Sequence, residues 1–156
     1  IMNTVRNNEG LAYSAGSFYR AKPQYGVFGS YAFTKTFSTM KTLGLLDAVI
    51  ANIRSNPITA RELDWAKKSI IDGFIFSFST PEQIVWQQMG IEYEKLPADY
   101  LLNYRDKIDK ITIEDVNKTA ARYLDQTRSV VLILGDSKNL DKPLPAGGFI
   151  FITPEE

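Results

Sequence analysis

Apolar residues recur along this chain with two different periods, and the change of period divides it into segments. Between Tyr25 and Thr36, the residues Tyr25, Val27, Tyr31 and Phe33 fall on alternate positions, the spacing of a strand with one buried face. Leu11 to Arg20 reads as a second strand, and Ala21-Lys22-Pro23-Gln24 between the two supplies a short turn, so an antiparallel hairpin is predicted. Residues 1–9 read as the end of a helix, which Gly10 leaves in the left-handed conformation that glycine adopts at little cost.

The period then lengthens. Phe37, Met40, Leu43, Leu46, Ile50 and Ile53 recur at steps of three and four, a helical stripe that runs up to Asn56-Pro57. Thr59-Ala60-Arg61-Glu62 has the form of a capping box and opens a helix whose buried face is predicted at Leu63, Ala66, Ile70 and Phe74. Thr80-Pro81-Glu82-Gln83 is a further helix start, with threonine at the cap and proline in the first turn. Helices are also predicted from Pro97-Ala98-Asp99-Tyr100 and from Thr112-Ile113-Glu114-Asp115.

Near the C-terminus the pattern changes once more. Ser129-Val130-Val131-Leu132-Ile133-Leu134 is an almost continuous apolar run rich in β-branched residues, which predicts a strand covered on both faces and closed by Gly135-Asp136. Residues 137–148 read as a surface segment, and Phe149 to Ile152 as a last short strand. Strands, then a block of helices, then a strand predict an α+β fold: a two-layer sandwich in which an antiparallel or mixed sheet is covered by helices on one face. Residues 1–136 form the domain and 137–156 an extension or linker. The chain opens at Ile1 and reads as a piece of a longer protein.

Composition mainly removes possibilities. Among 156 residues there is no histidine and no cysteine. That removes the commonest general base, the usual partner of a serine nucleophile and the usual zinc ligands. Ser14 and Ser17 are therefore poor nucleophiles. Eighteen basic and eighteen acidic residues cancel, which gives no electrostatic reason to expect nucleic acid. No window is apolar for long enough to span a membrane. Glu92 with Glu94, and Asp106 with Asp109, read as solvated helix faces rather than paired catalytic carboxylates. Trp65, Phe74, Phe76, Phe78 and Trp86 read as packing around a helix–helix junction.

Four segments carry a resemblance. Val5-Arg6-Asn7-Asn8-Glu9-Gly10-Leu11-Ala12-Tyr13-Ser14 resembles the stretch of pitrilysin and mitochondrial processing peptidase family proteins in which a helix ends in Arg, a Gly-Leu turn follows, and a Tyr stands on the next strand. Ile58-Thr59 with Glu62-Leu63 and Ala66-Lys67, then Leu96-Pro97-Ala98-Asp99-Tyr100-Leu101, then Ile111-Thr112-Ile113-Glu114-Asp115-Val116, are similar to later elements of that family in the same order. The tail Asp141-Lys142-Pro143-Leu144 is closer to bacterial members, for which a periplasmic or cytoplasmic location is expected.

The family implies two similar α+β domains facing each other around a cavity, one holding zinc through H-x-x-E-H and the other metal-free. Without histidine, this chain matches the metal-free half. The resemblance implies zinc only in the partner domain, a peptide substrate, and a partner domain or subunit of the same family. It also implies that the residues matching the metal-free half's Arg/Tyr pair are Arg6 and Tyr13. Arg6 would grip substrate carbonyl oxygens with its fork of donors. Tyr13 would donate a hydrogen bond to the oxygen that becomes negative when the scissile carbonyl is attacked. The chain by itself is expected to be inactive. From residue type alone, Arg6 could equally be a charge facing a helix dipole and Tyr13 half-buried packing. A catalytically inert scaffold subunit of the same fold is the alternative reading.

Overall fold

The computed structural model describes residues 1–22, 24–144, 150 and 152. The element order is an opening π-helix (Met2–Asn8), β1 (Ala12–Ala21), β2 (Gly26–Thr34), α1 (Thr39–Ser55), α2 (Ala60–Phe74), α3 (Pro81–Tyr93), α4 (Tyr104–Asp109) and α5 (Ile113–Tyr123), with short 3-10 turns between and after them. The fold is α+β, and among the described residues the sheet is the β1–β2 hairpin. Contacts group the chain into two compact units. One comprises Ile1–Tyr19, Phe28–Ile50 and the described residues from Arg128 onward; the other comprises Arg20–Val27 and Ala51–Thr127.

The first unit has a small core in which Val5, Ala12, Ala15 and Leu46 are buried, with Ile1, Leu11, Ala32 and Leu45 packed against them. Val5 is fully buried, which contributes about 2 kcal/mol. The hairpin is tight: the Lys22 amide donates to the Tyr25 carbonyl at 2.8 Å. The covered positions of β2 are small or polar, namely Gly29, Ser30, Ala32 and Thr34, whereas Val27, Tyr31 and Phe33 are exposed. The alternation is therefore real, but the aromatic set is the open one. Alanines let the backbone of the hairpin come close to this core, and the large rings have no room there.

Helix α1 begins in an unusual way. The carboxylate of Asp141, a hundred residues along the chain, accepts hydrogen bonds from the backbone amides of Met40 at 2.7 Å and Lys41 at 2.9 Å. These are first-turn donors with no partner inside the helix. Partial desolvation raises the carboxyl's pKa, but the amide donors and the neighbouring Lys142 outweigh it and hold it below the ordinary 3.8. A residue of the predicted surface segment thus does the work of an N-cap.

In the second unit the three predicted starts at threonine are capping boxes. Thr59 pairs with Glu62, Thr80 with Gln83 and Thr112 with Asp115, each side chain satisfying the other's backbone amide. Leu63, Ala66 and Phe74 on α2 are half-buried as the stripe requires, while Ile70 is exposed. Phe74 stacks on Tyr104 with ring centres 4.6 Å apart and meets Phe78 edge-on at 5.0 Å. Lys67 Nζ donates to the Asp109 carbonyl at 2.6 Å, tying α2 to the end of α4.

Three expectations need correction. The helix predicted from Pro97 begins only at Tyr104, because residues 98–103 form successive turns. The strand predicted at 129–135 is not paired: its described residues lie outside any strand, and Val130, Leu132 and Leu134 are 95%, 90% and 88% exposed. A strand exists only when its backbone donors and acceptors meet a neighbour, and neither β1 nor β2 is that neighbour. Among the described residues the sheet is accordingly a two-stranded antiparallel hairpin, not a broader antiparallel or mixed one. Of the strand predicted at Phe149 to Ile152, Phe149 and Phe151 lie outside the described residues.

Lys95 stands apart. It follows the end of α3 with φ +53°, the left-handed region that residues other than glycine avoid. Its amide donates to the Glu92 carbonyl at 3.2 Å and the Leu96 amide to the Ile91 carbonyl at 2.9 Å, the two bonds of a Schellman helix end. Ile91 is buried beneath. Glycine is the usual residue at this position, and lysine here costs about 1 kcal/mol.

Candidate functional site

The turn that carries Arg6 and Tyr13 is built from the end of the opening helix. The Gly10 amide donates to the Arg6 carbonyl and the Leu11 amide to the Val5 carbonyl, both at 3.1 Å. Gly10 has φ +63°, which lets the chain reverse into β1 without a side-chain clash. The helix is π-wound, so this closure is one residue wider than the usual helix end, and the Glu9 amide reaches back to Thr4. Val5, fully buried in the core, anchors the turn. Across it, Lys41 Nζ pairs with Glu9 at 3.1 Å.

Tyr13 is 86% exposed, immediately inside β1. Ala12 and Ala15 on either side of it are both buried. Next to buried Ala12, ordinary strand alternation turns the Tyr13 ring outward, and the departure from alternation comes after it, at Ser14 and Ala15. Its hydroxyl has no partner among the described residues. Tyr13 lines an open cleft of about 380 Å³ with Gly10, Leu11, Ala12, Phe33, Thr34 and Lys35. Thr34 Oγ1 donates to the Leu11 carbonyl at 2.6 Å, closing the back of that cleft.

Arg6 lies in the last turn of the opening helix and is exposed. Its guanidinium approaches only the Met2 sulfur, at 3.9 Å, among the described residues. A thioether is a weak acceptor, so the donors of Arg6 remain available to a ligand. Arg6 is not among the residues lining the Tyr13 cleft. The two residues therefore share a turn and an outward orientation, and the cleft belongs to Tyr13.

Sequence reasoning did not single out Phe33, Thr34 and Lys35. A tight turn at Lys22–Tyr25 brings the far ends of the two strands together, so the hairpin register was the available signal. Lys35 Nζ rests 5.6 Å from the centre of the Phe37 ring, a cation–π contact that leaves a positive charge at this end of the hairpin.

The donor set of this chain does not suit zinc. The sequence supplies neither imidazole nor thiolate, and among the described residues no three acidic side chains gather into a group that could hold a metal. No described helix is long and apolar enough to cross a membrane. What the exposed tyrosine, arginine and lysine can do is donate hydrogen bonds and balance negative charge on something bound beside them.

Residues 1–70 match the family described as the Peptidase M16 inactive domain. Among solved structures, the peptidase M16 inactive domain from Pseudomonas fluorescens is similar with a TM-score of 0.70 and 27% identity, covering 80% of this chain and 29% of that one. The inactive peptidase domain of a proposed zinc protease from Bordetella parapertussis is similar with a TM-score of 0.63 and 18% identity, over 76% of this chain and 64% of that one. A proposed zinc protease from Bordetella pertussis gives 0.59 and 19%, over 76% and 66%. The last two likenesses speak to the fold alone. This chain thus spans less than a third of the first of these structures and about two thirds of the others. No protein of curated function matches it. Over residues 1–70 the chain is thus similar to the peptidase M16 inactive domain, and over 80% of its length it shares the fold of the Pseudomonas domain.

Proposed function

We propose that this chain is the metal-free half of a zinc endopeptidase, closing over an extended peptide whose hydrolysis a zinc-bearing domain of the same family carries out. Residues 1–136 are the working domain in this reading, and 137–156 an extension whose Asp141 secures α1. The family implies a two-layer fold of helices and sheet, and this reading takes that fold for the assembled domain. Arg6 holds carbonyl oxygens of the bound peptide. Tyr13 donates its hydroxyl proton in a hydrogen bond to the scissile carbonyl oxygen as that oxygen gains negative charge.

The observation that carries the reading is Tyr13: an almost fully exposed tyrosine, its hydroxyl unengaged among the described residues, at the lip of a cleft one turn from an arginine whose guanidinium meets only a methionine sulfur among them. The location of the protein, bacterial periplasm or cytoplasm, follows from the same reading and rests on nothing further.

The test is Tyr13→Phe in the assembled peptidase. The ring stays and only the hydroxyl goes, so kcat and kcat/KM should fall together by about 100-fold while zinc content is unchanged. Arg6→Ala should raise KM as well, because arginine also grips the ground-state peptide. Wild-type kinetics in Tyr13→Phe would overturn the role and favour the inert scaffold.

A further inference from the structure

A second cleft, of about 510 Å³, lies between the hairpin tip and the end of α3, entirely within the helical unit, and shares no lining residue with the Tyr13 cleft. It is lined by Lys22, Gln24, Tyr25, Tyr93, Glu94 and Lys95. Lys22 Nζ stands 3.9 Å from Glu94 Oε1, a long, partly exposed pair that binds neither group firmly. The side chains of Gln24, Tyr25, Tyr93 and Lys95 make no hydrogen bond, ion pair or ring contact among the described residues, and the two tyrosines are 63% and 83% exposed. Two lysines against one glutamate leave the lining with a single positive charge.

Lys95 is the informative member. It occupies the left-handed helix-end position where glycine would serve the backbone better. Strain of this kind collects where a side chain is needed for something else. Here the strained residue contributes an ammonium group to the wall of a cleft.

We propose that this cleft binds a carboxylate-bearing segment of extended peptide. Lys95, with Lys22 beside it, meets the carboxylate. Tyr25 and Tyr93 offer ring faces to the flanking residues and hydroxyl donors to the peptide backbone. The Gln24 amide, both donor and acceptor, suits a peptide group. The low net charge and the glutamate in the rim disfavour a multiply charged phosphate ligand.

The experiment is calorimetric titration of the full-length protein with three peptides of equal length, under EDTA to halt hydrolysis. One carries a Glu side chain and an amidated C-terminus, one a Gln and a free C-terminus, and one a Gln and an amidated C-terminus. A carboxylate peptide should bind about tenfold more tightly than the neutral one, and which of the two does so identifies the source of the carboxylate. Lys95→Met should abolish the difference and Lys95→Arg should keep it. Lys95→Gly should abolish it while raising thermal stability, so a folding defect cannot imitate the result. Tyr13→Phe should leave the difference intact, which separates this site from the one proposed above. Equal affinities for all three peptides, absence of binding, or a difference that survives Lys95→Met would overturn the proposal.

Discussion

Phe18 lies over Gly29 across the hairpin, so close that a methyl group on Gly29 would come within 2.5 Å of Phe18 Cζ and 2.7 Å of Cε1. Gly16 and Tyr31 repeat the arrangement with the strands exchanged, a methyl on Gly16 meeting the Tyr31 ring at 3.1–3.3 Å. Each ring covers a backbone that has no side chain of its own. Such cross-strand pairs contribute up to about 1 kcal/mol and help to fix register.

Gly29→Ala should therefore destabilise the protein by about 1 kcal/mol, as the Phe18 ring is pushed aside. In a Phe18→Ala background the same change should be nearly neutral. Denaturant titration of the four variants gives the coupling; simple additivity would show that ring and glycine do not interact.

Asp141 should prove to be a cap despite its distance in sequence from α1. Asp141→Asn weakens the acceptor and removes its charge from the first turn of the helix. Amide exchange at Met40 and Lys41 should become several-fold faster, with little change in the middle of α1. Exchange rates equal to the parent's would remove the cap.

Acid should act through the same class of group. Glu62 is held below its ordinary 4.5 by the Thr59 amide and then by the Thr59 hydroxyl. Asp115 is held below 3.8 by the Thr112 hydroxyl and then its amide. Asp141 behaves alike. A depressed carboxyl binds fewer protons in the folded chain than in the unfolded one. Its stabilisation is complete above the unfolded pKa and disappears as pH falls through the folded value. Stability should thus be flat above about pH 5 and decline below about pH 4. A Glu62→Gln, Asp115→Asn double variant should show a shallower decline in denaturant midpoint against pH.

Lys95→Gly should stabilise the protein by about 1 kcal/mol by relieving the left-handed lysine. Lys95→Ala should not, since alanine carries the same Cβ penalty. Thermal melting of the two distinguishes backbone relief from loss of charge.

Much of the local structure was legible in the sequence because its causes are local. Thr59, Thr80 and Thr112 each meet their partner three residues on, so the capping boxes needed no tertiary information. Gly10 and Lys22–Tyr25 likewise marked where the chain turns. The absence of histidine and cysteine removed the usual zinc ligands before any fold was known. Arg6 and Tyr13 were named only by the resemblance of Val5 to Ser14 to the family, since no local pattern distinguishes them from a helix-end charge and a packing ring.

Tertiary structure alone decided which side of each element is covered. Period two in β2 marked two faces, but not that the alanine face is packed and the aromatic face open, since that depends on how closely the core approaches. The apolar run from Val130 to Leu134 has every residue a strand needs, yet pairing requires a neighbouring backbone, and none of the described strands provides it. Asp141 at the start of α1 and Lys35 beside the Tyr13 cleft were invisible for the same reason. A hydrogen bond or a cleft wall between residues far apart in sequence is made by the folded chain, and no local pattern records it.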